Sequence, residues 1–452
     1  MNIRKYINNI AGPQIFQVLR FITFTILSIF FTKGKLSSKD IGDYELFLFI
    51  ASAVSYFWVT GIIQTMLPLY SSNKIFRHST SKNTRKSPEI FNAFLLITLF
   101  SLLIVILGLF VRKSIFVYNT VQPLPYANLL LVYILLSNPV CLIEYIYLLR
   151  NRSLEILYYG FITFSLQLLF VIFPVAAGYG VKYALYGLIA ISALRAIWLT
   201  VMLIRYAEFT LSWEYLKTHI RLGMPLIIST LLSGSAQYID GIFVSSRFSP
   251  EEFAKFRYGA KEMPLVVMLA SGLNNAMLPE FTSPLKIKKT LESIKRKSLR
   301  LMHFLYPISI FLMVFANRIF PAIFNPSFIR SADVFMVYIL LITSRLLFPQ
   351  TILIGMKKTR VVMGASIMNM IINIGLTILF LSVPRYGIVG VAVATVIVFF
   401  IEKAILIAYN YFKLKIKPTE YIPVMAYIIY SSIIVILFVL IDHRIIMIPS
   451  GN

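Results

Sequence analysis

Among 452 residues there is a single cysteine, Cys141, which excludes an internal disulfide and a metal site built on thiolates. Charge is also scarce. Asp, Glu, Lys and Arg make up 13% of the chain, about half the share of a soluble domain. The acidic sign is the rarer, 18 residues against 43 basic. The four histidines are scattered without HExxH or other paired-ligand spacing, so no metal is expected. The one Gly-Lys pair, Gly34-Lys35, lacks the upstream glycine and the following Ser or Thr of a phosphate-binding loop, which argues against ATP hydrolysis by the chain itself. No nucleophile–base constellation stands out, so no catalytic residue is assigned and the chain is not read as an enzyme. Polar stretches long enough to form a soluble domain are missing too.

What fills the chain is apolar: 58% of residues are hydrophobic, and mean hydropathy is +0.81. They come in blocks of about twenty, the length that crosses a bilayer as helix; examples are Leu96–Val111, Leu129–Leu149 and Val424–Ile441. The chain is therefore expected to be an all-α polytopic membrane protein. Helices are expected near 13–32, 43–69, 90–111, 124–149, 155–177, 183–204, 222–246, 262–283, 301–322, 332–356, 361–382, 386–410 and 420–441. The start, MNIRKYINNIAG, has no cleavable-signal pattern, so the first apolar run is expected to remain as a helix. The net charge of +25 raises the question of nucleic acid, but basic residues cluster in short links between apolar runs, which is topology and not a nucleic-acid face. KIFRHSTSKNTRK (74–86) and KIKKTLESIKRKSLR (286–300) dominate one side of the alternation, which places the N-terminus in the cytoplasm.

The sequence also repeats itself. GIIQTMLPLY (61–70) is echoed by GLNNAMLPEF (272–281), and LSSKDIGDY (36–44) by FSPEEFAKF (248–256). YGVKYAL (179–185) is echoed by YGIVGVAV (386–393), and Gly12 by Gly223, all at an offset of about 210 residues. Helices one to six and seven to twelve thus read as two copies of one unit. Six is even, so both copies enter the membrane in the same direction and face each other around a central cavity. The expected organisation is a six-helix lobe over 1–206, a cytoplasmic linker over 207–220, a second six-helix lobe over 221–412, and an extra helix with tail over 413–452. Pro68 and Pro279 fall late in the second helix of each copy, where proline kinks or ends a helix and suits a gating element. Gly61 and Gly272 leave room for either helix sliding or plain close packing.

The link LSSKDIGDYELFLFI (36–50), the Gly61-to-Pro68 segment and above all IDGIFVSSRFSPEEFAKFRYGAKEMPLV (239–266) resemble the oligosaccharide flippases of the MOP superfamily (multidrug, oligosaccharidyl-lipid and polysaccharide exporters). YGIVGVA before the twelfth helix fits as well. Members have twelve or fourteen helices, so a count of thirteen departs from the pattern. The resemblance implies a MATE-like fold in the bacterial inner membrane. It also implies transfer of a sugar repeat unit, usually carried on undecaprenyl pyrophosphate, from the cytoplasmic to the outer leaflet for O-antigen, capsule or exopolysaccharide. Membrane lipids surround such a protein, and a polysaccharide polymerase and chain-length regulator are implied partners. No cofactor is expected beyond coupling to H+ or Na+. The rival from the same superfamily is a drug–cation antiporter; a polysaccharide polymerase would need a larger external loop than the link expected over 247–261.

Ionisable groups inside spans cost about 2.5–3.5 kcal/mol each at the bilayer centre and belong in the bundle interior. Here they are Arg20, Glu144, Arg195, Asp240, Arg345 and the Glu402–Lys403 pair. Arg20, Arg195 and Arg345 either hold a pyrophosphate, which guanidinium binds bidentately, or pair with carboxylates between helices. The absence of Asp or Glu from the first helix favours anionic cargo. Asp240 is either a coupling-ion site or an arginine partner. Gln14, Gln17, Gln237, Asn274 and Asn275 either bind sugar hydroxyls or link helices. Lys261 and Glu262 form either an external gate or a solvated helix start; Glu144 and Glu402 join the coupling or gating set.

Overall fold

A computed structural model describes residues 11–77, 86–111, 124–277, 281, 287–356 and 358–442. They form α1 (Ala11–Lys33), α2 (Ser38–Arg77), α3 (Pro88–Val111), α4 (Ala127–Val140), α5 (Leu142–Leu149), α6 (Ser153–Ala176), α7 (Val181–Tyr206), α8 (Trp213–Arg247) and α9 (Pro250–Gly259). After these come α10 (Pro264–Met277), α11 (Ile287–Ile323), α12 (Ile329–Ile339), α13 (Ile342–Arg345), α14 (Pro349–Gly355), α15 (Thr359–Leu381), α16 (Gly387–Phe412), α17 (Pro418–Tyr421) and α18 (Val424–Asp442). The protein is all-α. A membrane interior imposes this choice, because a helix satisfies its own backbone donors and acceptors where no water is available.

Among the described residues, eleven helical stretches are long and apolar enough to cross a membrane. The two remaining expected spans fall on α8, which at 35 residues has the length but carries polar groups along it, and on α10, of which 14 residues are described. Large apolar side chains stand outward on these helices, such as Leu99, Leu103, Leu107 and Phe110 on α3 and Met425, Ile428 and Ile436 on α18. Those faces suit acyl chains. Tyr179, Tyr183 and Tyr186 project at the start of α7, the placement of an interfacial aromatic belt.

Two compact units divide the chain. The first comprises Met1–Gly234 with Ser245–Glu251. In it α2 packs on α3, α3 on α4, α4 on α7, α6 on α7 and α1 on α6. Its core gathers Phe16, Trp58, Ile62, Met66, Ile143 and Ile146. The second comprises Ser235–Val244 with Glu252–Asn452, so α8 contributes to both. Within it α10 packs on α11, α11 on α12, α12 on α16 and α15 on α16. Counted as spans, these four pairings repeat those of the first unit, α1 on α6 aside. α18 lies on α11, where Tyr306 Oη is 2.8 Å from Ser431 Oγ and its ring stacks on Tyr430.

Glycines mark the tightest crossings. An added Cβ at Gly61 would strike Ile227 of α8 at its Cα and N, and close by His219 Nε2 donates to Ile62 O at 2.8 Å. Gly272, the repeated partner of Gly61, has no described residue within 4 Å of such an atom. Among the described residues, one copy uses its glycine for close approach and the other does not. At Gly187 the added atom would overlap Phe170 O, a backbone group of α6 that cannot swing aside. Gly187→Ala is accordingly expected to force α6 and α7 apart and cost about 1–3 kcal/mol, read as a lower melting temperature of the detergent-solubilised protein; an unchanged melting curve would refute this packing.

Four expectations need correction. The expected helix 124–149 is broken into α4 and α5 at Cys141, whose N–H bonds Asn138 O at 3.2 Å just after Pro139. The expected helix 332–356 is broken twice, into α12, α13 and α14. Between α12 and α13 the bonds tighten to the i−3 pattern, with Leu340 N on Val337 O at 3.0 Å and Leu341 N on Tyr338 O at 3.1 Å. The link expected over 247–261 is largely the helix α9. Finally, the expected helix 43–69 extends at both ends as α2, which runs on past Pro68 to Arg77; Pro279 lies outside the described residues.

Candidate functional site

Each unit carries its own polar cluster amid apolar helices. In the first, α1, α5, α6 and α7 bring together Arg20, Glu144, Gln167 and Arg195. Arg20 Nη2 lies 3.4 Å from Glu144 Oε1, a long contact with the Arg20 side chain 38% exposed. Glu144 owes its place to the α4–α5 break, which starts a new helix two residues before it. Among the described residues Arg195 has no carboxylate in its contacts. Its Nη2 donates to Gln167 Oε1 at 2.9 Å and to Thr163 O at 3.4 Å, and its Nε is buried without a hydrogen-bond partner.

Aromatic rings hold the two guanidiniums in one region. Arg20 Cζ is 5.1 Å from the Phe16 ring centre and Arg195 Cζ 5.3 Å from that of Phe164. Phe16 and Phe164 lie 5.1 Å apart. Gly160 permits this, since a Cβ there would meet Phe16 Cδ2 at 2.6 Å. Gln17 is exposed one turn before Arg20. The cluster therefore sets two cations against one carboxylate, on rigid rings, with a guanidinium N–H still to be satisfied. Such a site suits a multivalent anion.

In the second unit Asp240 of α8 is buried, 1% exposed. Its Oδ2 accepts from Tyr338 Oη at 2.8 Å and from Thr395 Oγ1 at 2.6 Å. Asn373 Nδ2 donates to Thr395 Oγ1 at 3.1 Å, and Thr377 Oγ1 reaches Asn373 Oδ1 at 3.4 Å. Asp240 Oδ1 is buried with no hydrogen-bond partner. A carboxylate with one oxygen saturated and the other open can take up a proton or a small cation.

The other expected site residues are placed as follows. Arg345 of α13 makes a two-pronged ion pair with Glu262, Nε to Oε2 at 2.9 Å, and its Cζ lies 4.6 Å from the Phe399 ring. Glu262 and Lys261 lie in the link before α10 and not in that helix; Lys261 Nζ sits 5.0 Å from the Tyr258 ring. Asn369 Nδ2 donates to Glu402 Oε2 at 2.9 Å, and Lys403 Nζ to Gln350 Oε1 at 3.3 Å. Thr351 Oγ1 donates to Asn274 Oδ1, an interhelical link. The side chains of Asn275, Gln237 and Pro68 are outside the described residues. Inspection of ionisable residues alone overlooked Gln167, Tyr338, Asn373 and Thr395. Asn369, Asn373 and Thr377, spaced by four on α15 and all buried, were the available signal.

The helical arrangement has solved counterparts. The lipid II flippase MurJ in an inward closed conformation matches over 96% of this chain and 94% of its own, with a TM-score of 0.67 and 16% identity. An outward-facing multidrug resistance MATE family transporter of the MOP superfamily matches over 91% of this chain and 95% of its own, with a TM-score of 0.57 and 15% identity. A MATE transporter in complex with MaD3S gives a TM-score of 0.55 at 13% identity, covering 90% of this chain and 96% of that one. No curated protein matches the sequence. The chain shares its fold with these proteins. Residues 36–333 match the profile of a family described as polysaccharide biosynthesis protein, about two thirds of the chain, and the protein belongs to that family.

Proposed function

We propose that the protein flips an undecaprenyl-pyrophosphate-linked oligosaccharide repeat unit from the cytoplasmic to the outer leaflet by alternating access, in the service of a surface polysaccharide. The observation that carries this reading is Arg195, a guanidinium in mid-span held by neutral partners and left with an open Nε beside the half-compensated Arg20. A diphosphate supplies the missing negative charge and acceptor oxygens, and its lipid tail stays in the bilayer. Family membership supports a role in polysaccharide assembly, and likeness to a lipid II flippase supports a lipid-borne cargo. Arg345 is assigned a structural role because Glu262 already occupies its fork. Asp240 is proposed to couple transport to H+ or Na+ through its open Oδ1.

A drug–cation antiporter would place cationic cargo beside Arg20 and Arg195, which repel it. The test is reconstitution of the purified protein in vesicles holding a fluorescent undecaprenyl-pyrophosphate oligosaccharide. Protein-dependent appearance of the sugar in the opposite leaflet is expected. Efflux of cationic dyes with no movement of the glycolipid would overturn the reading.

A further inference from the structure

A second group of arginines lies away from the sites above, at the ends of three spans of the first unit. Arg150 Cζ is 5.4 Å, Arg205 Cζ 5.4 Å and Arg152 Cζ 5.9 Å from the centre of one ring, that of Tyr206. Tyr206 is buried, 8% exposed. Arg150 is committed to the protein: its Nη2 donates to Ser87 Oγ at 2.8 Å and to Tyr206 O at 3.2 Å, and it lies 5.7 Å from the Tyr70 ring. Arg205 is exposed, and the Arg152 side chain is 41% exposed. Glu155, 3.5 Å from Arg152 and itself partly exposed, answers one of these two.

Depth decides what such a cluster meets. The apolar span Ala127–Leu149 stops just before Arg150, Ser153–Ala176 starts just after Arg152, and Val181–Tyr206 ends at the ring itself. All three guanidiniums therefore stand where hydrocarbon gives way to headgroups, the layer that holds lipid phosphates. Guanidinium, planar and always charged, binds phosphate oxygens in pairs. Basic groups between span ends attract anionic headgroups. Drawing like charges to one ring is unfavourable unless an anion joins them.

We infer that Arg152 and Arg205, on a Tyr206 platform steadied by Arg150, form a binding site for a phosphate-ester headgroup at the membrane interface. The headgroup has two sources, the anionic phospholipid of that leaflet or an incoming lipid-linked pyrophosphate. The inference stands apart from the proposed transport, because binding is read without it.

The test is native mass spectrometry of the full chain in detergent, titrated separately with phosphatidylglycerol, phosphatidylcholine and undecaprenyl pyrophosphate. Arg152→Gln with Arg205→Gln is expected to weaken phosphatidylglycerol binding about tenfold while leaving phosphatidylcholine unchanged. A loss confined to undecaprenyl pyrophosphate also supports the site and assigns its source to cargo. Should the double variant unfold, Arg205→Gln alone, at an exposed position, is expected to weaken binding about threefold. Unchanged affinity for both anionic lipids in a folded variant overturns the inference.

Discussion

Arg195→Ala is expected to stop movement of the lipid-linked oligosaccharide while leaving the protein in the membrane. A hydrogen bond to a charged group contributes about 1.5–3 kcal/mol, so losing one with the headgroup slows transfer by about 10- to 150-fold. The stability cost is of similar size, since what remains is an unpaired Gln167, 2% exposed, worth about 1–3 kcal/mol, and flipping must be normalised to inserted protein. Arg195→Lys keeps the charge but loses the planar fork and the stacking on Phe164, and is expected to stay at least tenfold impaired. Arg20 calls for a different substitution. Arg20→Ala alone would leave Glu144, 9% exposed, as an uncompensated charge in mid-span, confusing misfolding with lost binding. Arg20→Gln with Glu144→Gln removes both charges together. Flipping in reconstituted vesicles, normalised to inserted protein, is the measurement; wild-type rates in Arg195→Ala would remove that residue from the headgroup site.

The second large effect is expected at Asp240. Asp240→Asn retains an oxygen able to accept from Tyr338 and Thr395, so the fold persists, but it deletes the charge that Asp240 brings to that cluster. Transport by the variant should become insensitive to imposed proton and sodium gradients and run at least tenfold below wild type, on the order of the 1.5–3 kcal/mol of a charged contact. Asp240→Ala is the harsher change: it strands two buried hydroxyls at about 1–3 kcal/mol each, and a lower melting temperature should accompany its lost activity. Gradient-dependent flipping by Asp240→Asn would overturn the coupling role.

Legibility of the sequence followed the scale of each feature. The spans were readable because twenty apolar residues in a row leave lipid as their destination, and twin motifs such as GIIQTMLPLY and GLNNAMLPEF disclosed the recurrence. Breaks at Cys141 and at Leu340–Leu341 were invisible, because apolar composition is unchanged across them and only the hydrogen-bond pattern shifts. Buried charge marked Arg20, Glu144, Arg195 and Asp240, but the partner of each was not written locally. Arg345 and Glu262 lie 83 residues apart, and either could have met many groups. Asn373 and Thr395 were overlooked because uncharged residues in spans are common enough to pass as packing.

The lone thiol at Cys141 has a practical consequence. It sits half-buried at the α4–α5 break, donating to Ser137 O at 3.7 Å, within a span and remote from either aqueous compartment. One substitution there yields a thiol-free background, in which each newly introduced sulfhydryl reports its own compartment to an impermeant maleimide. The turn at 34–37 and the link at 150–152 should then label from opposite sides of a sealed vesicle, fixing which way the chain is threaded.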